Sequence, residues 1–389
     1  MVLTKINNKF FNYYIFICFI ISIFFLYHKF QFPTDWTTSE WLINYQGGFT
    51  RRGLVGEILV QINTFFNFEI RNLVFIFEII LLFTYYFYII NFFKKIDFSP
   101  LLILIIFSPL GFLFPVTETE AIARKEVLLF CLYLLYLSSI LERNQKLTYS
   151  ILLFGLPIVN LVWDGNIFYI LFFIYTFFVS RIKINKKEVI IFLISLIPYL
   201  ISTIILITTK SNDQMLEEMC KAINEPCFGA MNFLDYSFKD QMNYGLSKFK
   251  IEYLIRYSFI SIICFFPLLL IFYDQKDKSK IFLGYVICVI PTFIFLYISF
   301  DWGRYLHILY VFSVITLIFL LKIKKLELEE TRLFIFINEL KKKKNKLYFL
   351  YIYFFLYLFA WHPKIILTDD IGSLPYLRIL DRIFDYLIV

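Results

Sequence analysis

Apolar runs of roughly twenty residues, rich in Phe, Ile, Leu and Tyr, recur along this whole chain, and short lysine- or arginine-bearing segments separate them. Few folds tolerate that pattern. A segment inside a hydrocarbon core must satisfy its own backbone hydrogen bonds, so runs of this length become helices packed into a bundle. With 60% hydrophobic and 17% charged residues over 389 positions, the chain cannot be an ordinary soluble domain. The sequence predicts an all-α, polytopic transmembrane helical bundle forming a single integral membrane domain over 1–389.

Eleven runs are long enough to cross, or nearly cross, the bilayer: 11–29, 70–93, 99–115, 126–141, 147–163, 166–180, 188–208, 252–273, 281–299, 305–322 and 347–361. No cleavable signal is expected, because the run after Lys9 can span and no small-residue cleavage site follows it. With Lys5 and Lys9 inside, every even-numbered connection is also inside, and each is basic: 94–95, 143–146, 181–187, 276–280 and 322–346. This is the positive-inside pattern, and it accounts for the net charge of +8 without nucleic acid. The expected location is a bacterial inner membrane, with the N-terminus cytoplasmic and the C-terminus periplasmic. Residues 325–346 read as an amphipathic connector on the cytoplasmic surface.

Four of the six cysteines lie in apolar spans, whereas Cys220 and Cys227 share the long loop 209–250. A disulfide there requires an oxidising compartment, in agreement with the outer side assigned to that loop; two free thiols are the alternative. The pair lacks the further ligands expected of zinc.

On this topology the unusual polar stretches fall on one face. "NYQGGFTRRGL" in the first outer loop sets Gly47 and Gly48 in a turn and places Arg51 and Arg52 at the entry of a short helix predicted over 54–65. Arginine forks, glycines and helix N-terminal amides suit a phosphate or pyrophosphate; arginines snorkelling to lipid headgroups are the plainer reading. In "TETEAIARKE", Glu120 and Arg124 stand four apart and could pair on a helix face, with Glu118, Lys125 and Glu126 beside them. They line a polar cavity or cap a solvated helix end. In "DWGRYLH", Asp301 could cap a helix that carries Arg304 and His307 on neighbouring positions, and His307 is as readily a packing group as a base. Asp164 in "WDGN" marks a turn, or binds a sugar hydroxyl or a cation. The spans carry few ionisable residues, Glu78 being the main exception.

One span, an outer loop with an early acidic residue ("TDW", Asp35) and a juxtamembrane helix, short loops through seven spans, then a large outer loop: this order resembles the GT-C class of membrane glycosyltransferases. The strings "QGGFTRRG", "ARKE" and "DWGR" are also similar to those of surface-polysaccharide, O-antigen-type polymerase proteins. The resemblance implies a GT-C-like seven-span module over 1–208, an extracytoplasmic loop over 209–250, and C-terminal spans with an outer tail over 251–389. It also implies a polyprenyl-linked sugar donor and a glycan acceptor as partners beside membrane lipids, with other polysaccharide-assembly proteins as further candidates. Asp35 would be the catalytic base, Arg51, Arg52 and Arg304 the phosphate binders. Glu40, five residues on, is the second acidic candidate, since no paired acidic motif stands at that position. No cofactor is demanded, although the acidic residues are compatible with a divalent cation. A transporter or lipid flippase of a glycan pathway is the alternative reading, and it calls for polar groups along a continuous path through the spans.

Overall fold

The computed structural model describes residues 8–31, 36–181, 185–209, 211–234, 236, 238–273, 278–328, 331–342, 344–366 and 371–388. Helix α1 (Asn8–Gln31) is followed by two short helices, α2 (Thr37–Leu42) and α3 (Leu54–Phe66), and by α4 (Ile70–Phe93). At 1.5 Å per residue, the 24 residues of α1 and of α4 each extend about 36 Å. Among the described residues, seven helices are long and apolar enough to cross a membrane. Their outward faces are aliphatic and aromatic, as in Ile190, Leu193, Ile197, Leu200 and Ile204, all of them exposed. That is the surface a helix presents to lipid, and the architecture is an all-α membrane bundle.

The run expected to span at 99–115 is not one helix. Its first part is α5 (Pro100–Ile106), started by Ser99, whose hydroxyl accepts from the Leu102 N–H. Pro109 disfavours helical geometry at Ser108, so the chain turns through Gly111 before the single turn α6 (Phe114–Thr117). A 3₁₀ turn (Thr119–Ala121) and Ala123, at φ +52°, then lead to α7 (Glu126–Leu141). The unwound stretch is buried, and its carbonyls find side-chain donors: Tyr310 donates to Ile105 at 2.8 Å and His307 contacts Leu110 O through Nδ1 at 2.9 Å. Non-helical backbone at this depth persists only when protein satisfies it.

Next come α8 (Gln145–Ser150), a π-helical turn (Ile151–Gly155) and α9 (Leu156–Val162), which run on as one rod. The run expected at 166–180 is helical only over α10 (Ile170–Val179), because residues 164–168 form a 3₁₀ turn. After α11 (Lys186–Thr208), the long loop contains α12 (Asp213–Ala222) and α13 (Phe238–Lys248), and a disulfide joins Cys220 to Cys227. Helices α14 (Ile251–Tyr273), α15 (Lys278–Ile298) and α16 (Trp302–Lys322) complete the long set. Every residue of α16 from Trp302 to Leu320 is buried, so this helix is the axis around which the others pack. Hydrogen bonds between helices fix neighbours in register: Tyr133 with Thr316, Tyr285 with Ser313, and Asn160 with Ser202 and Thr203.

The expected connector at 325–346 is helical from α17 (Arg332–Lys342), and α18 (Lys344–Phe359) follows. A two-residue strand β1 (Trp361–His362) pairs antiparallel with β2 (Gly372–Ser373), and α19 (Pro375–Ile388) closes the chain.

Candidate functional site

Charged residues from separated segments meet at the end of the bundle where α1 stops and α7 and α16 begin. Arg304, in the first turn of α16, donates to both oxygens of Glu126, the first residue of α7, at 2.9 and 2.5 Å. Glu40 of α2 lies 3.6 Å from Arg304 and forms a second ion pair with Arg124. Lys125 donates to the Arg52 carbonyl at 2.7 Å and sits over the Trp41 ring. Arg52 in turn binds Asp164 at 2.7 Å, with Arg51 at 3.7 Å from the same carboxylate. At the margin Lys29, in the last turn of α1, pairs with Glu120 at 2.9 Å.

Five cations (Arg51, Arg52, Arg124, Lys125, Arg304) thus face four carboxylates (Glu40, Glu126, Asp164, Asp301). The formal surplus is one positive charge, and it depends on the protonation of Lys125. Burial raises the Glu40 carboxyl, but Arg124, Arg304, Lys125 and Arg52 reverse that and bring it down to about 2. Fully buried and paired with two guanidinium groups, that carboxylate is placed as their counter-ion. Burial also pushes the Lys125 ammonium down to about 7, against the opposing pull of Glu40. Asp164 is pushed up by burial and pulled down further by Arg52 and Arg51, so it is ionised.

Exposure sorts the cluster into a buried base and an open rim. The side chains of Arg304 and Arg124 are 4% and 8% exposed, whereas Arg51, Arg52, Asp164 and Asp301 are 19%, 28%, 20% and 31% exposed. The rim residues can meet a ligand. An apolar groove of about 610 Å³ opens between helices, lined by Phe249, Tyr257, Phe293, Tyr297, Ser299 and Trp302. Ser299 and Trp302 stand on either side of Asp301 in sequence, so the groove approaches the cluster on its Asp301 side.

Several expectations need correction. Glu120 and Arg124 do not share a helix face, because the left-handed turn at Ala123 separates them; their side chains pair with Lys29 and Glu40 instead. Asp301 precedes α16 without capping it, and its carboxylate turns to Arg304 at 3.5 Å. His307 is buried, stacks on Phe114 and serves the Leu110 carbonyl, which leaves it no ligand to touch at the rim. Gly47 and Gly48 are packing positions under α12: a Cβ on Gly47 would strike the Met215 backbone, and Gly48 takes φ +124°, a region side chains avoid. The N-terminus of α3 (the helix predicted over 54–65) carries its own anion, since Glu57 accepts from the Tyr45 N–H and the Gln46 amide. Asp35 lies outside the described residues, and among those described no group of His, Cys, Asp and Glu could hold a metal ion.

The long loop folds back over this end. Thr50 and Ser211 hydroxyls meet at 2.7 Å, the Ala230 N–H donates to Ser39, and Arg71 forks onto Glu225. Arg51 donates to the carbonyls of Leu234 and Tyr236, at 3.3 Å each. The C-terminal region adds a contact that the sequence reading missed. Glu118 gathers His362 at 3.3 Å, Lys364 at 3.4 Å and Arg378 at 3.0 Å, and Arg382 donates to Thr119 at 2.9 Å. One signal was available: Arg378 and Arg382 are four apart on an amphipathic run, as residues reaching back to a polar surface would be.

Fold and site together define a class: a helical membrane bundle with an ion-paired cluster concentrated at one end. No protein-family model, no curated protein and no solved structure matches the chain.

Proposed function

We propose that this protein transfers or polymerises sugar from a polyprenyl-phosphate or pyrophosphate donor, at the periplasmic face of a bacterial inner membrane, as a GT-C-like enzyme of cell-surface polysaccharide assembly. The observation that carries the reading is a cluster of partly exposed arginines at one end of the bundle, with an apolar groove reaching its Asp301 side. A lipid-linked sugar phosphate has that same division into an apolar tail and an anionic head. In this scheme the isoprenoid tail lies in the groove beside Trp302, and the phosphate takes Arg51 and Arg52 in exchange for Asp164. Guanidinium groups fixed before the reaction stabilise the charge that builds on the departing phosphate. Asp35 by its position in the first loop, or Asp301 by its exposure, takes the proton of the acceptor hydroxyl.

Eleven crossings belong to the proposal, with the broken segment 100–117 counted as one; that places the cluster, α12 and α19 outside and the basic connections inside. One feature favours transport: a discontinuous crossing is a common element of transporters. Against it stands α16, buried from Trp302 to Leu320 with no charged residue between Arg304 and Lys322.

The test is sugar transfer and donor binding by purified protein with a synthetic polyprenyl-pyrophosphate sugar, comparing wild type with Arg51→Ala, Arg52→Ala, Asp35→Asn and Asp301→Asn. Arginine variants that fold but bind donor at least tenfold more weakly, with one aspartate variant that binds and does not transfer, support the proposal. Donor binding unchanged by both arginine variants sinks it, and substrate flux across vesicles without transfer would favour the transporter.

A further inference from the structure

The opposite end of the bundle holds a second concentration of charge, predominantly basic. A cavity of about 700 Å³ opens where α7 and α16 end, and Arg143, Arg181, Lys322, Lys324 and Lys325 line it with no acidic residue among them. Arg181 is neutralised by Glu188 at 2.8 Å. Among the described residues Arg143, Lys324 and Lys325 form no ion pair, and Arg143 and Lys324 sit in left-handed turns just past their helices, at φ +56° and +55°. Arg181 and Lys325 are shared with a neighbouring cleft of about 750 Å³, whose other walls are apolar except for Lys280: Leu171, Ile174, Tyr175, Phe178 and Ile287 are among them. Gly284 lies against the Tyr175 ring, which keeps α10 and α15 close beneath that cleft.

We propose that this double cavity binds one anionic phospholipid of the adjoining leaflet, with its phosphate between Arg143, Lys322 and Lys324 and its acyl chains in the cleft beside Ile174 and Tyr175. A basic cup at the headgroup level of a helical bundle suits an anionic headgroup. The apolar cleft continuing from it suits the chains and gives a lipid an advantage over a free anion. Lysines placed only to orient the chain would need neither a concavity nor that continuation. The site lies at the far end from the sugar-phosphate cluster and does not depend on the glycosyltransferase reading.

The experiment measures lipid retained on detergent-purified protein by native mass spectrometry, after incubation with equimolar phosphatidylglycerol and phosphatidylcholine, with and without excess inorganic phosphate. The expected result is at least fivefold preference for phosphatidylglycerol, unaffected by inorganic phosphate. Arg143→Glu with Lys324→Glu should abolish it, while Lys94→Glu, a reversal of an exposed lysine outside the cavity, leaves it intact. Ile174→Trp keeps every charge and fills the cleft; it too should lose the lipid, and it guards against a charge-reversed variant that fails to fold. Equal loss in Lys94→Glu, or full retention in Ile174→Trp, would overturn the proposal by reducing the cup to a diffuse basic rim. Displacement by inorganic phosphate would overturn it by making the cup a simple anion site.

Discussion

Glu40 shows how little of a buried charge network is legible from the chain itself. Its partners Arg124 and Arg304 are 84 and 264 positions away, and no local spacing rule links them. The sequence marked all three as unusual, yet their roles came from the fold: Glu40 neutralises guanidinium groups while fully buried. Glu40→Gln leaves Arg124 and Arg304 buried beside a neutral amide and is expected to cost about 3–5 kcal/mol, read as denaturant or thermal unfolding in detergent. A loss below about 1 kcal/mol would mean the pair behaves as an exposed one. The pH dependence follows from the same residue. Arg124 and Arg304 hold its carboxyl well below the ordinary 4.5, so its stabilising contribution is present above that value and is lost as pH falls below it. Glu40→Gln should flatten that acid limb of the stability profile.

At the scale of elements, the long helices were readable because twenty consecutive apolar residues leave a bilayer-bound chain little choice. The region 99–117 was not, although Pro109, Gly111 and Pro115 stood in it, because hydropathy averages over a break that local stereochemistry dictates. His307 was legible only as an unusual residue; its task, serving the Leu110 carbonyl, exists because that break freed the carbonyl. The loop carrying α12 raises a separate point. Its disulfide joins cysteines seven positions apart, and chain-entropy arguments assign such a closure about 2.5 kcal/mol. Cys220→Ser with Cys227→Ser should therefore speed limited proteolysis within the loop while leaving the melting of the long helices in place. If cleavage of the loop is unaltered, the contacts of Arg71, Ala230 and Thr50 hold it unaided.

The molecule as a whole separates its charges by end: a mixed, ion-paired cluster where α7 and α16 begin, and a basic cup where they finish. Membrane-impermeant thiol labelling of single cysteines tests the matching orientation. Positions 94, 144 and 324 should react from one side only, and positions 213 and 217 of α12 from the other. Labelling of 144 and 213 from the same side would refute the crossing pattern. The bidentate bond between Glu126 and Arg304 has a further implication, for the order of synthesis. Its partners are 178 residues apart, so at 5–20 residues per second the ribosome adds the second about 10 to 35 s after the first. Throughout that interval Glu126 waits at the membrane boundary without its fork, and α7 has no axial helix to pack against. α7 can meanwhile pack against α4, its main neighbour, so what stays unfinished until α16 arrives is the charged end of α7 and not the first half as a whole.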